Sequence, residues 1–321
     1  MTEATAIARS NIALTKYWGK SDAARNLPAV PSLSLTLAGL ETRTRVRLDP
    51  TLAADSVVLD GRPAEAADAE RVSAFLELVR ARAGIATRAD VESASNFPAG
   101  AGLASSASAF AALAAASARA MGLVLDPPAL SDLARRGSAS AARSVFGGFV
   151  ELPAGTKEPL PARALDVVGW MGPGSVRMVV VRCGEGRKAV GSRDAMIRTA
   201  RTSPFYRAWV ASANDVHARA LDALRMRDLP ALGECMELSC LRMHASAMAA
   251  DPAIVYWTPA TIEAMSAVRS LRDSGVGAWF TIDAGPHVKV LCLEADAARV
   301  AERFGDRATV HGPGGGVEVV G

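Results

Sequence analysis

The chain has 321 residues, of which 50% are hydrophobic, 5% aromatic and 21% charged, a balance that excludes disorder and collagen-like repeats. That length suits two domains sharing an interface. The net charge of +3 comes from scattered Lys and Arg without a dense basic run, which argues against a nucleic-acid partner and suits a phosphorylated metabolite. Cys183, Cys235, Cys240 and Cys292 show neither C-x-x-C pairs nor a disulfide framework, and read as buried thiols of a reducing cytoplasm. Glu3, Arg9 and Lys16 precede any apolar block, so no signal peptide is expected; no apolar stretch is long enough for a membrane span. The expectation is a cytoplasmic protein without membrane partners.

Along the chain, strand-like alternation is clearest over Glu41–Leu48, and helical spacing predicts helices over about 66–84, 104–121 and 128–136. The first half is therefore α+β. The turn Met171-Gly-Pro-Gly174 marks a boundary, giving domains over 1–173 and 174–321. From about residue 192 the pattern is mainly helical, with apolar periodicity across 204–224, 228–248 and 259–273. Strand-like Ala278–Asp283 and Val288–Leu293 then form a second sheet, and the glycine turn 311–316 feeds a last short strand, Val317–Val320. With no repeat and no linker, the two domains are expected to meet along a cleft, where small ligands commonly sit.

Four segments carry chemistry. Val91–Ser108 reads as a strand, a glycine loop and the start of an alanine-rich helix. Gly100 and Gly102 let backbone N–H groups approach an anion, the helix start adds its positive dipole end, and Ser105, Ser106 and Ser108 offer hydroxyls to phosphate or Mg²⁺. A structural helix start needs only one capping residue, so three serines favour phosphate over a plain turn. A dinucleotide site is the rival, with Gly100-x-Gly102-x-x-Ser105 and Asp126 as the ribose acid, but the third glycine is missing and Pro127-Pro128 follows Asp126.

Near the start, Asn11–Lys20 sets Lys16, Tyr17 and Lys20 in one strand and turn, either as phosphate donors or as a solvated edge strand. In Gly137–Phe149, Arg143 sits between small residues and an apolar strand, where it can grip a carboxylate of a ligand or of a neighbouring acid. Asp283 ends an apolar strand at a Gly-Pro turn, as a catalytic carboxylate or as a cap of the turn. Taken as an unpaired carboxylate, it is expected to tolerate the nearly isosteric Asp283→Asn without loss of fold. His217, His244, His287 and His311 are too dispersed for a zinc site; the first two read as structural, and His287 faces either the cleft or solvent.

Pro98-x-Gly-x-Gly-Leu-Ala-Ser-Ser106 resembles the phosphate loop of the GHMP small-molecule kinases. Together with Lys16-Tyr-Trp-Gly-Lys20, Arg143-Ser-Val-Phe-Gly-Gly148 and Phe280-Thr-Ile-Asp-Ala-Gly-Pro286, it resembles the diphosphomevalonate decarboxylases over nearly the whole chain. That resemblance implies a two-domain GHMP fold, with a ribosomal-protein-S5-like N-terminal domain and an α/β-sandwich C-terminal domain. The implied activity is ATP-dependent decarboxylation of mevalonate 5-diphosphate, with phosphomevalonate decarboxylation, mevalonate 3-kinase activity or an NAD-binding oxidoreductase as alternatives. The implied catalytic residues are Asp283, Arg143 and Lys16, and the implied substrate-binding residues are Tyr17, Lys20, Ser138, Ser140, Ser192 and Arg193. For ATP they are Asn96, Pro98, Gly100, Gly102, Ser105, Ser106 and Ser108, with Ser106 toward Mg²⁺; a homodimer is also implied. Two departures touch the phosphorylation state of the substrate: Ala139, where the family commonly has glycine, and Val30-Pro31, where it commonly has Asn-Ser.

Overall fold

The computed structural model describes residues 2–97, 105–167, 169–172, 174–186 and 189–320. The first half contributes β1 (Glu3–Thr15), β2 (Lys20–Asp22), β3 (Leu27–Pro28), β4 (Ser32–Leu48), β5 (Ser56–Leu59), β6 (Arg62–Pro63), α1 (Ala66–Ala83), β7 (Ala89–Ser95), α2 (Ser105–Ala120), α3 (Pro127–Gly137), α4 (Ala141–Ser144), β8 (Phe149–Leu152) and β9 (Arg163–Leu165). The second half contributes β10 (Val176–Val181), α5 (Ser192–Thr202), α6 (Tyr206–Met226), α7 (Leu229–Met248), α8 (Pro259–Asp273), β11 (Ala278–Ile282), β12 (Val288–Leu293), α9 (Glu294–Phe304), β13 (Ala308–His311) and β14 (Glu318–Val320). The helices expected from periodicity all form, displaced by at most two residues at their ends.

Local chemistry explains these limits. α3 begins where Asp126 accepts the Ala129 N–H at 2.8 Å and Pro127 supplies a preset φ. Asp126 is thus a helix cap, and not a ribose ligand as the dinucleotide reading required. α8 begins with a capping box between Thr258 and Thr261, again with proline in its first turn.

The first sheet runs β14-β1-β4-β7-β5-β6, with β8 on β4 and β9 on β8. Ala4, Ala6 and Ala8 of β1 face the alanine-rich α2, and these small side chains let helix and sheet lie close together. Beyond an irregularity of the β1–β4 ladder, where Gly39 adopts φ +81°, both strands feed a different core. There Ile12, Leu14, Leu33, Leu35 and Leu37 pack on α6, α7 and the inner face of the second sheet. That sheet is antiparallel in the order β11-β12-β10-β13, and its other face packs on α8 and α9. The C-terminal strand β14 returns to the first sheet and pairs with β1, Thr5 opposite Val320. Burial on both faces therefore ties the two halves together and sets their cleft. No helix among the described residues is long and apolar enough to cross a membrane.

Candidate active site

The cleft has a volume of about 850 Å³ and draws its walls from β1, α1, α2, the 137–143 segment, α5 and the end of β11. At its floor, β1 ends at Thr15 and delivers Lys16, 2% exposed, with Nζ donating to Ala13 O at 2.9 Å and to Asp283 Oδ1 at 2.6 Å. The second oxygen, Oδ2, lies 3.3 Å from Nζ of the fully buried Lys289, close enough for an ion pair though not aligned as a hydrogen bond. Burial by itself raises the Asp283 carboxyl, but Lys16 and Lys289 outweigh it and hold the group at about 2. Burial pushes the Lys289 ammonium down, against the pull of Asp283. Asp283 is thus not the unpaired carboxylate that its sequence context suggested, and the expectation that Asp283→Asn is harmless to the fold does not stand. The amide would strip two buried lysines of their counter-charge.

Arg143 enters the same floor from α4. Its Nε donates to Asn11 Oδ1 at 3.2 Å and its Nη1 to Ser32 Oγ at 2.6 Å, so neutral oxygens orient the fork. No carboxylate of the described residues pairs with it within 4.0 Å, although the side chain is only 2% exposed. Burial pushes its guanidinium down to about 10, against the pull of the more distant Asp283. A buried guanidinium held by neutral partners, lining a cleft, is poised for an anion. Tyr17 lies beside it with its hydroxyl buried and unpartnered among the described residues, and burial pushes that hydroxyl up.

Lys20, Ser138, Ser140, Ser192 and Arg193 also line the cleft. Lys20 Nζ donates to Asn26 Oδ1 at 2.6 Å; burial, then repulsion from Arg193 and Arg71, lowers it to about 8. The Ser138 and Ser140 hydroxyls are 3.1 Å apart. Gly137 precedes them because a Cβ there would stand 2.2 Å from the Phe110 ring. The Ala139 methyl is buried against Val150, Leu152 and Ala162.

The start of α2 brings Ser105 and Ser106 to the cleft. Ser108 departs from expectation: it is fully buried, its hydroxyl shared with Thr42 Oγ1 at 2.7 Å and donating to Ser105 O at 3.2 Å, so it fastens helix to sheet. Asn96 also departs, because its Oδ1 accepts Glu41 N–H at 2.9 Å and its Nδ2 donates to Gly39 O at 3.0 Å. Both polar ends are used on the backbone of β4 and its bulge. Pro98, Gly100 and Gly102 lie outside the described residues.

Among the described residues no group of three or more His, Cys, Asp or Glu could hold a metal ion. The hydroxyls of Ser105 and Ser106 fit Mg²⁺ of the kind that takes most of its ligands from phosphate oxygens and water. His217 joins Thr15 Oγ1 at 2.9 Å to Glu151 at 3.0 Å, His244 bonds Ile282 O, and His287 accepts from Cys183 N at 3.1 Å. All three are structural in their contacts. Sequence reasoning missed Lys289, Arg71, Asn11 and Ser32 as members of the site. Lys289 had a signal: its neighbours Val288 and Val290 face one core and Leu291 the other, so a lysine in that register must be buried.

Residues 8–162 match the diphosphomevalonate decarboxylase-like N-terminal domain, and residues 178–310 the mevalonate 5-diphosphate decarboxylase C-terminal domain. The chain belongs to the diphosphomevalonate decarboxylase family. A phosphomevalonate decarboxylase of Haloferax volcanii is 34% identical over 99% of this chain and 98% of its own length. The diphosphomevalonate decarboxylase of Candida albicans is 33% identical over 94% of this chain and 87% of its own. Among solved structures, the mevalonate diphosphate decarboxylase of Staphylococcus aureus superposes with a TM-score of 0.95 at 35% identity, over 100% of this chain and 98% of its own. A complex designated MDDEF with MVAPP, AMPPCP and magnesium gives a TM-score of 0.94 at 39% identity, over 99% of both chains. The family expected from the motifs and its two-domain α+β fold are therefore those found.

Proposed function

We propose that this chain catalyses the ATP-dependent decarboxylation of mevalonate 5-diphosphate to isopentenyl diphosphate, ADP, phosphate and CO₂. The observation that carries the proposal is Arg143, buried, oriented by neutral oxygens and without a carboxylate partner among the described residues, beside the Lys16–Asp283 pair. A planar fork in that setting takes the substrate carboxylate as a bidentate ligand. Tyr17, Lys20, Ser138, Ser140, Ser192 and Arg193 hold the diphosphate and the carbon chain. Pro98, Gly100, Gly102, Ser105 and Ser106 hold ATP. Mg²⁺ would be held by Ser106 and the phosphate oxygens, and supplies neutralisation of the phosphate charge.

In the first step the tertiary hydroxyl attacks the terminal phosphorus of ATP and ADP leaves. Asp283 orients that hydroxyl and takes its proton. A carboxylate held at about 2 is a weak base, so orientation dominates until the attacking oxygen has become acidic. The C–O bond then breaks with its electron pair leaving as phosphate, which Lys16 helps to stabilise. The C–C bond to the carboxylate breaks, its pair becomes the alkene, and CO₂ departs from Arg143.

A second reading, decarboxylation of the monophosphate, is favoured by the Haloferax volcanii relative and by Ala139. Lys20, Arg71 and Arg193 repel one another in the cleft, which supports the more highly charged diphosphate. The domain division 1–173 and 174–321, the homodimer and the cytoplasmic setting are part of this proposal, the last supported by four unpaired thiols. Incubation with ATP, Mg²⁺ and mevalonate carrying zero, one or two phosphates, with CO₂ and ADP both followed, tests it. The diphosphate should release both; CO₂ from the monophosphate alone selects the second reading, and ADP without CO₂ refutes decarboxylation.

A further inference from the structure

Strand β11 is an edge. β12 lies on one side, and no strand among the described residues lies on the other. Edge strands leave backbone N–H and C=O groups without ladder partners, which is costly when the edge is buried. Here side chains take those groups. Arg272 of α8 donates to Ala278 O at 2.7 Å, and Glu237 of α7 accepts from Phe280 N at 3.0 Å. At the next outward position, Ile282 N donates to Cys240 Sγ at 3.2 Å, and His244 Nε2 meets Ile282 O at 3.1 Å. Glu237, Cys240 and His244 are spaced by three and four residues, so one face of α7 stands where a strand is missing.

The last of these contacts touches the reacting end of the strand. The Ile282 carbonyl belongs to the planar peptide whose nitrogen is that of Asp283, so fixing its oxygen fixes the plane from which Asp283 departs. The strand stops there, and Gly285 N turns back onto Asp283 O at 2.7 Å. The same helix holds the other half of the ion pair, because Ser239 Oγ accepts Lys16 N–H at 2.9 Å. His244 is fully buried, and burial pushes it down to about 3, so the ring is neutral. A carbonyl only accepts, so Nε2 carries the hydrogen and Nδ1 is left buried without a partner among the described residues. An orphaned ring nitrogen destabilises the core, and a side chain chosen for packing alone would not carry one.

We infer that Cys240 and His244 are positioning residues, which hold both polar groups of Ile282 and thereby set where the Asp283 carboxylate stands against Lys16 and the cleft. The inference rests on the proposed role of Asp283. His244→Met and Cys240→Ala remove the contacts at similar or smaller volume, whereas His244→Gln and Cys240→Ser keep polar groups that can restore them. A displacement of the carboxylate by a fraction of an ångström should lower kcat about 10- to 100-fold in the first pair, with KM for ATP and for the mevalonate substrate unchanged within about twofold. The second pair should recover most of the loss, all measured well below each variant's melting temperature. Wild-type kcat in folded His244→Met, or an equal loss in His244→Met and His244→Gln, overturns the inference. Asp283→Asn is run beside them: if it turns over normally, the role of Asp283 fails, and if it is inactive while His244→Met is not, only the positioning inference falls.

Discussion

Replacing Asp283 by asparagine tests the charge arrangement and the chemistry together. The carboxyl is held at about 2 against an ordinary 3.8, a gap worth about 2–3 kcal/mol at ~1.4 kcal/mol per unit. Because the folded value is depressed, that stability is present above about pH 4 and is lost as pH falls through about 2. The amide removes it; seen from the lysines, the same loss leaves Lys16 and Lys289 buried without a counter-charge, and breaking a buried pair costs roughly 3–5 kcal/mol. Stripped of the carboxylate, the Lys289 ammonium should fall further below its ordinary range, and the unfolded chain then binds more protons than the folded one. The deficit of Asp283→Asn should therefore be largest near neutral pH and shrink at mildly alkaline pH. Thermal melts at both conditions read this, and turnover should fall by ~10²–10⁴-fold. The double variant Asp283→Asn with Lys289→Met should regain much of the stability and none of the turnover. An Asp283→Asn protein as stable as the wild type at neutral pH would refute the reasoning, because the lysines would then not depend on the carboxylate.

Arg143→Lys should fold, and should lose about 1.5–3 kcal/mol of transition-state stabilisation, a fall of ~10- to 150-fold in kcat/KM for the mevalonate substrate. An unchanged kcat/KM means that the carboxylate is held elsewhere. Affinity for the phosphorylated substrate should weaken as pH rises through about 8, where the half-buried Lys20 loses its proton. Lys20→Met should flatten that profile in a calorimetric titration. Ser106→Ala should raise KM for ATP with the melting temperature unchanged, whereas Ser108→Ala, which removes the bond to Thr42, should lower the melting temperature and leave KM for ATP intact.

The sequence by itself determined the periodic helices, the strand pair that ends at Asp283, and the four motif segments that meet at the cleft, because each is written in local spacing and turn chemistry. It also marked Lys16, Arg143 and Asp283 as residues of interest, since charges set in apolar strands or among small residues demand a partner. Which partner was not legible. The residues around Asp283 named no partner, because Lys16 is 267 positions away and only the family resemblance set the two in one polar cluster, while Lys289, though near in sequence, meets it only through the hairpin of β11 and β12. Ser108 and Asn96 carry the residue types of a phosphate loop, yet their hydroxyl and amide are consumed by Thr42, Glu41 and Gly39 on a strand some fifty or more residues earlier. The outward edge of β11 was equally hidden: a strand's own residues do not reveal which side lacks a neighbour, and only the packing of α7 supplies Cys240 and His244 to that side. Local interactions select the elements, but a buried polar group must be satisfied by whatever the fold brings to it, and that pairing is a property of the tertiary structure alone.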